Sequence, residues 1–183
     1  MYRRALLAAL PVTLATGSLM SADAADLENT LYLELKDGRV VIQLFPDIAP
    51  KHVARVKELA RAKFYDGIVF HRVIEGFMAQ SGDPTGTGTG GSKLGNVPAE
   101  FSRAKHFLRG TVGAARSSDP DSADSQFFIM FAPATHLDGQ YTIWGQVTSG
   151  MDLVDKIKRG SGGGGTVPSP DKIVSMRVAA DVK

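Results

Sequence analysis

The sequence predicts a mainly β domain in which short strands form a closed barrel or sandwich capped by two helices. Three features support this: short runs of alternating apolar and polar residues, glycine-rich turns between them, and only two segments with helical spacing. A chain of 183 residues is long enough for one such domain with its own core.

The first two strands are predicted to form a hairpin. Residues 31–36 alternate, and the leucines of this run share one face. The dipeptide Asp37-Gly38 is typical of a two-residue turn, because glycine accepts a positive φ. Residues 40–45 form the return strand, which Pro46 ends.

Two segments are predicted to be helices. Residues 49–63 carry Pro50 in the first turn, where a missing N–H costs nothing, and have apolar residues at helical spacing. Residues 151–158 form a second, shorter helix, and the glycine-rich run at 160–165 is a flexible surface loop. The remaining strands are predicted at residues 68–74, 78–81, 111–115, 127–131, 141–146 and 172–178.

The composition excludes several classes of protein. Hydrophobic residues make up 43% and charged residues 22% of the chain, which is typical of a globular domain and not of a disordered chain. The net charge is +2 without a long basic run, so no nucleic-acid partner is expected. There is no cysteine, which excludes disulfides, thiolate metal sites and cysteine nucleophiles. The four histidines form no metal-ligand pattern, so we expect no metal.

A glycine motif at residues 86–91, GTGTGG, matches the spacing of a dinucleotide-binding loop. Such a loop needs a helix to begin there, so that the first backbone N–H groups meet the pyrophosphate. The residues that follow, SKLGNVP at 92–98, do not start a helix, and no P-loop lysine is present. We therefore interpret the motif as a glycine-rich surface loop.

Residues 1–24 have the features of a secretory signal peptide. A positive start is followed by a mostly apolar stretch at 5–20 and by small residues at the two positions that a signal peptidase reads. These features are supplied by Arg3, Arg4, Ala22 and Ala24.

The alternative interpretation of this stretch is a membrane anchor that stays in place. Its apolar run contains Pro11 and Gly17 and is shorter than the roughly 18–20 residues that a spanning helix needs. We therefore expect cleavage after Ala24 and a folded periplasmic domain at 25–183.

The segment with the strongest chemical character is FHRVIEGFMAQ, at residues 70–80. If it is a strand, Arg72 shares a face with Phe70 and Ile74. A guanidinium buried among apolar side chains is costly unless it is paired. Arg72 is therefore either a structural arginine in an ion pair or a functional residue, and the pattern leaves both open.

Four segments in order resemble the cyclophilins, the cyclosporin-binding family of peptidyl-prolyl cis/trans isomerases. They are FHRVIEGFMAQSGD at 70–83, GTVGAAR at 110–116, SQFFI at 125–129 and LDGQYTIWG at 137–145. With the opening hairpin and the helix near Pro50, the resemblance covers nearly all of residues 25–183. It implies a closed eight-stranded antiparallel β-barrel capped by two α-helices.

The resemblance also implies the residues of the active site. Arg72 matches the catalytic arginine, and Gln80 matches the polar residue that orients it and contacts the substrate backbone. Ala115 matches the residue beside the peptide segment that precedes the proline, and Tyr141 stands at the pocket rim. The apolar walls of the proline pocket are matched by Phe77, Met78, Phe128 and Leu137.

Two positions and one loop depart from the family pattern. His136, which we include among the substrate-binding residues, stands where the best-known members have a tryptophan that binds cyclosporin through its indole N–H. Ala114 replaces the usual methionine, which widens the neighbouring groove. The loop at 116–125 is about one residue longer than in short members.

The reaction implied is rotation about X–Pro bonds, which needs no nucleophile, metal or cofactor. The expected partners are proline-containing polypeptides during the folding of exported proteins. We expect a monomer that is free of the membrane once the leader is cleaved. Two alternatives are a proline-peptide-binding module or holdase chaperone with little turnover, and a nucleotide enzyme that uses the glycine motif.

Overall fold

Eight antiparallel strands dominate the computed structural model, which describes residues 26–182. Their order in the sheet is β3-β4-β6-β5-β7-β2-β1-β8. The strands are β1 (Thr30–Leu35), β2 (Gly38–Leu44), β3 (Arg72–Ile74), β4 (Met78–Ser81), β5 (Thr111–Ala114), β6 (Phe127–Met130), β7 (Ile143–Ser149) and β8 (Ser175–Val178). The predicted mainly β, eight-stranded antiparallel fold is confirmed, and the predicted leader at 1–24 lies outside the described residues.

The barrel closes through the segments that precede its two edge strands, β3 and β8. Gly67 donates its N–H to the carbonyl of Ile173 at 2.8 Å, and Ile173 donates to the carbonyl of Ile68 at 2.8 Å. Phe70 donates to Asp171 at 2.9 Å. Closure therefore depends on short backbone bridges, and both edge strands are shorter than the sequence predicts.

Two helices cap the sheet: α1 (Pro50–Arg61) and α2 (Met151–Val154). The predicted extension of the second helix to residue 158 is wrong. After Val154 the backbone tightens, since Lys156 and Ile157 donate to carbonyls three residues earlier. Two 3₁₀ helices, at Thr135–Leu137 and Ala179–Asp181, were not predicted. No helix within 26–182 has the length and hydropathy needed to cross a bilayer.

Alternation along the central strands produces two separate apolar clusters. On β6, Phe127 and Ile129 belong to the cluster inside the barrel, whereas Phe128 and Met130 belong to a cluster on its outer face. On β4, Met78 joins the outer cluster. The outer cluster forms the floor on which a surface cavity is built.

The sequence predicts that Phe70, Arg72 and Ile74 share one face. This prediction is wrong for Phe70, because the two clusters lie on different faces. Phe70 is fully buried in the inner cluster, whereas Ile74 packs against the outer one. The reason is that β3 begins only at Arg72, so strand alternation does not extend back to Phe70.

The glycine-rich loop at 160–165 covers the free edge of β3. Val73 donates its N–H to the carbonyl of Gly165 at 2.7 Å, and Gly160 donates to the carbonyl of Val73 at 2.9 Å. Gly165 has a φ of +71°, and a Cβ at this position would collide with Ile74 and with the Val73 carbonyl. Glycine is therefore required for the close approach, and hydrogen bonds hold this loop, predicted to be flexible, at both ends.

Glu100 caps the first turn of α1. Its carboxylate accepts hydrogen bonds from the backbone N–H groups of Lys51 and His52, both at 3.0 Å, which have no partner within the helix. It also accepts from Nδ1 of His52 at 2.7 Å. Burial alone would raise the pKa of Glu100, but these hydrogen bonds hold it below the usual range.

Burial favours the neutral form of His52. An ionised carboxylate only accepts hydrogen bonds, so Nδ1 carries the proton and Nε2 is the unprotonated nitrogen. Nε2 is buried and has no hydrogen-bond partner among the described residues, so a proton there would be unsatisfied. Burial accordingly lowers the pKa of His52, and Glu100 offsets this only in part. Burial also lowers the pKa of His71.

The free energy of unfolding should therefore fall when the pH is lowered from about 7.5 to about 5.5. In this window the unfolded chain binds protons at histidines whose usual pKa is about 6.5, whereas the folded chain resists protonation at His52 and His71. Urea titrations at several pH values measure this fall, and His52→Gln should reduce it. His106→Gln removes an exposed imidazole as the control. Equal slopes for the wild type and His52→Gln would contradict the interpretation.

Candidate active site

A cavity of about 320 Å³ lies on the outer face of the barrel, above the second apolar cluster. It brings together eight of the nine residues predicted for the site: Arg72, Phe77, Met78, Gln80, Ala115, Phe128, Leu137 and Tyr141. His71, Gly88 and Arg116 complete the lining and were not predicted. His136, the ninth residue, stands outside the lining and stacks on Phe77, with ring centroids 6.2 Å apart.

Cross-strand register places the central residues of the cavity in one row. Arg72 of β3 lies opposite Gln80 of β4, and Gln80 lies opposite Phe128 of β6. Side chains at such positions project from the same face of a sheet and touch. The sheet thus sets a cation, an amide and an aromatic ring side by side, although these residues are up to 56 positions apart in sequence.

The apolar side of the cavity is built from side chains with little freedom to move. Met78 and Phe128 are buried, and Phe128 is held by Phe107, stacked at 5.6 Å, and by Tyr141, edge-on at 5.8 Å. Such aromatic pairs add to the stabilisation from buried area. Leu137 reaches the cavity from the 3₁₀ helix.

Neutral oxygen atoms orient the guanidinium of Arg72. Nη1 donates to Oε1 of Gln80 at 3.1 Å, and Nε donates to the carbonyl of Gly164 at 3.1 Å. No carboxylate within residues 26–182 forms an ion pair with Arg72; the salt bridges there involve other cations. Of the two interpretations of Arg72 left open by the sequence, the structural ion pair is therefore not found.

A relay of hydrogen bonds fixes Gln80. Its Nε2 donates to Oε1 of Gln126 at 2.9 Å, and Nε2 of Gln126 donates to the carbonyls of Gly88 and Gly90 at 3.1 and 2.8 Å. Because those acceptors are carbonyls, the orientation of both amides is determined. The oxygen of Gln80 must then face Arg72.

Asp83 organises the glycine loop that anchors this relay. Its buried carboxylate accepts hydrogen bonds from the backbone N–H groups of Thr85, Thr87 and Gly88. Burial alone would raise the pKa of Asp83, but hydrogen bonds from Thr85 and the loop backbone lower it to about 2. The motif that resembles a dinucleotide loop therefore folds around an internal anion and presents its carbonyls to Gln126.

A second cavity of about 330 Å³ continues from the first. The two share Gln80, Gly88, Ala115 and Arg116, so together they form one groove. The second cavity is also lined by Thr89, Gly90, Ser117, Ser122, Asp124 and Gln126.

His71 contributes a buried imidazole to the wall of the first cavity. Neither of its ring nitrogens has a hydrogen-bond partner among the described residues. Within the same residues, no cluster of three or more histidine, aspartate or glutamate side chains could hold a metal ion.

The family is decided by comparison with known proteins. A model of the cyclophilin type peptidyl-prolyl cis-trans isomerases matches residues 30–178. The chain belongs to this family. The predicted isomerase activity and cyclophilin-like fold are thereby confirmed.

Individual relatives agree with this assignment. A probable peptidyl-prolyl cis-trans isomerase of Brucella suis biovar 1 is 53% identical over 193 aligned positions, covering 99% of this chain and 98% of the relative. A cyclophilin from Hirschia baltica superposes with a TM-score of 0.77 at 28% identity, covering 86% of this chain and 76% of that one. A cyclophilin-type isomerase from Cryptosporidium parvum, solved in the presence of the dipeptide Ala-Pro, gives 0.76 at 27% identity, covering 81% and 98%.

Gln126, like His71, Gly88 and Arg116, is a residue of this cyclophilin site that sequence reasoning missed, although one signal could have identified Gln126. It stands in the SQFFI motif one position before β6, and its carbonyl accepts a hydrogen bond from the N–H of Ala115 at 3.0 Å, which continues the pairing of β5 with β6. Strand alternation therefore extends to Gln126 and places it on the same face as Phe128. Its partners, Gln80 and the glycine loop, are 36 or more positions away. No local pattern reveals such a pairing.

Loss of the hydrogen-bond relay should lower kcat/KM more than it lowers the unfolding midpoint. In Gln126→Ala, Gln80 loses its acceptor and can rotate its amide, so the oxygen that orients Arg72 is no longer fixed. We expect kcat/KM for a proline peptide to fall about tenfold, mainly through kcat, with a small change in unfolding midpoint.

Gln43→Ala is the matched control for this experiment. Gln43 of β2 is also half-buried and donates to a backbone carbonyl, that of Asn29, but it lies outside both cavities. Equal kcat/KM values for Gln126→Ala and Gln43→Ala would show that the relay does not position Arg72.

Proposed function

We propose that the first cavity holds the pyrrolidine ring of an X–Pro segment while Arg72 stabilises the twisted amide. The observation that carries this proposal is a fixed guanidinium, without a carboxylate partner among the described residues, beside an apolar cavity. The Ala-Pro dipeptide named for the Cryptosporidium structure supports proline peptides as the substrate class.

The reaction requires stabilisation of a geometry and not the making of a bond. Resonance in the X–Pro amide gives a rotational barrier of roughly 18–20 kcal/mol, and uncatalysed exchange takes about 10–100 s. At the twisted geometry the amide loses resonance, and the prolyl nitrogen regains a lone pair. An interaction that exists only with this lone pair lowers the barrier without tightening ground-state binding.

Arg72 has the donors that this step needs. A guanidinium carries five N–H groups in a rigid fork. Two of them are used by Gln80 and Gly164, and the remaining three have no acceptor among residues 26–182. One of these can donate to the prolyl nitrogen while the other two bonds keep the group in place.

The apolar wall supplies the second half of the mechanism. Phe77, Met78, Phe128 and Leu137 hold the ring while the acyl side of the bond rotates. Displacement of water from this wall also strengthens the field of the guanidinium. Every tenfold acceleration needs about 1.4 kcal/mol of transition-state stabilisation. A charged donor fixed in a desolvated site provides several such tenfold factors.

Replacement of Arg72 tests the proposal directly. We expect Arg72→Ala to lower kcat/KM about 100-fold in an NMR exchange assay, because the donor to the prolyl nitrogen is lost. Arg72→Lys should also be impaired, since one ammonium cannot bond Gln80 and Gly164 and still serve the substrate. Phe77→Ala should mainly raise KM.

The control is Arg39→Ala, which removes an exposed arginine of the β1–β2 hairpin that pairs with Glu34. Wild-type rates in both Arg72→Ala and Phe77→Ala would refute this assignment of the site. Binding of proline peptides to the wild type without faster exchange would instead favour the holdase function.

The features of residues 1–24 support a role outside the cytoplasm. A positive start, an apolar stretch and small residues before position 25 are typical of an exported precursor. In this proposal, the mature isomerase accelerates slow proline steps in the folding of other exported proteins and acts as a chaperone in the periplasm.

The mature protein purified from its native host should begin at Ala25. Intact-mass spectrometry and N-terminal sequencing of the periplasmic fraction measure this directly. Ala24→Arg should block cleavage, because the peptidase reads a small residue at this position. Recovery of the full 183-residue chain from the cytoplasm would contradict the proposal.

A further inference from the structure

The arginines of this protein differ in whether they are neutralised. Nine lie within residues 26–182, and six of them form ion pairs with carboxylates. The three that do not are Arg72, Arg103 and Arg116. Arg72 and Arg116 line the first cavity, and Arg103 lies against Gly139, in the turn between Leu137 and Tyr141. The unpaired guanidinium charge is therefore concentrated around the candidate active site.

No acidic side chain of the groove offsets this charge. The first cavity has no aspartate or glutamate in its lining. The second has Asp124 alone, and this carboxylate is bound by Arg55 at 2.7 Å and by the hydroxyl of Ser92. A groove lined by one sign of charge raises the local concentration of ligands of the opposite sign.

Arg116 lines both cavities, so it is the cation that can contact the side chains of a substrate bound along this groove. Its Nε and Nη2 donate to the carbonyl of Gln140 at 3.2 and 2.8 Å, and Nη1 donates to Ser117 at 2.8 Å. Its guanidinium lies 4.5 Å from the centroid of the Tyr141 ring. These neutral partners fix the group and leave its charge available, and at least one of its five N–H groups has no acceptor among the described residues.

We propose that Arg116 determines substrate specificity and favours X–Pro segments with an aspartate or glutamate within two residues of the proline. The inference rests on the proposed binding of proline in the first cavity. An extended chain advances roughly 3.3–3.6 Å per residue, so a ring held in that cavity leaves the neighbouring side chains within reach of its wall. A carboxylate also matches the planar donor geometry of a guanidinium better than any neutral side chain.

The test compares peptides that differ only in charge. A neutral alanine-based peptide with one proline receives Glu or Gln at each of the two positions on either side of the proline. The ratio of kcat/KM for Glu to that for Gln is measured by NMR exchange at low salt. We expect a ratio of about threefold to fivefold at one or more positions, which corresponds to about 0.7–1 kcal/mol. The ratio should fall at 1 M salt, where charges are screened.

Three variants assign the effect to a residue. Arg116→Gln should bring the ratio close to one. Arg39→Gln removes the same charge from the distant hairpin and should keep the wild-type ratio, as should Arg103→Gln. Ratios below twofold at every position would overturn the inference, and so would a preference that survives Arg116→Gln or disappears in either control. Because the neutral peptide is measured in the same series, failure of isomerisation itself is distinguished from failure of the acidic preference.

Discussion

The hydrogen bond from Arg72 to Oε1 of Gln80 is the interaction on which the rest of the site depends. A guanidinium beside apolar side chains needs partners, because its desolvation is costly. A carboxylate partner would supply them, but it would also neutralise the charge that the reaction uses. An amide oxygen and a backbone carbonyl instead fix the direction of the group while its charge remains available. In this arrangement the neutral amide of Gln80 must itself be held in place by a further hydrogen bond, which Gln126 accepts.

Two glycine-rich segments, 86–91 and 160–165, support the row formed by Arg72 and Gln80. The first accepts hydrogen bonds from Gln126 through its carbonyls, and the second reaches Arg72 through Gly164 and the edge of β3 through Gly165. Glycine is suited to both tasks, since it permits close backbone approach and positive φ. A motif that resembles a nucleotide loop in sequence thus serves as a source of acceptors for side-chain amides.

Features that depend on residues close together in the sequence could be predicted, whereas features that depend on residues far apart could not. The opening hairpin and α1 depend on local periodicity and turn residues, and their predicted positions agree closely with the structure. β3 is short because the residues before it bond to residues about 100 positions away, across the barrel seam. α2 is short because the backbone after it tightens into i→i−3 hydrogen bonds, which hydropathy does not reveal. For the site, the four family motifs identified eight of the eleven residues that line the first cavity. The amide relay was missed because its members meet only in the folded sheet.

Strand alternation places the residues of the barrel core and the residues of the cavity on opposite faces of the sheet. Phe127 fills the barrel and Phe128 the outer cluster, so neighbouring residues of one strand serve the core and the cavity independently. The reacting face is carried by rigid strands, through Arg72, Gln80 and Phe128. Arg116 lies in a connecting segment, and His136 lies in the short 3₁₀ helix Thr135–Leu137 between β6 and β7. Connecting segments tolerate change better than strands do. Selectivity can therefore diverge at positions such as 116 and 136 while the geometry at the prolyl nitrogen, which the sheet sets, is retained.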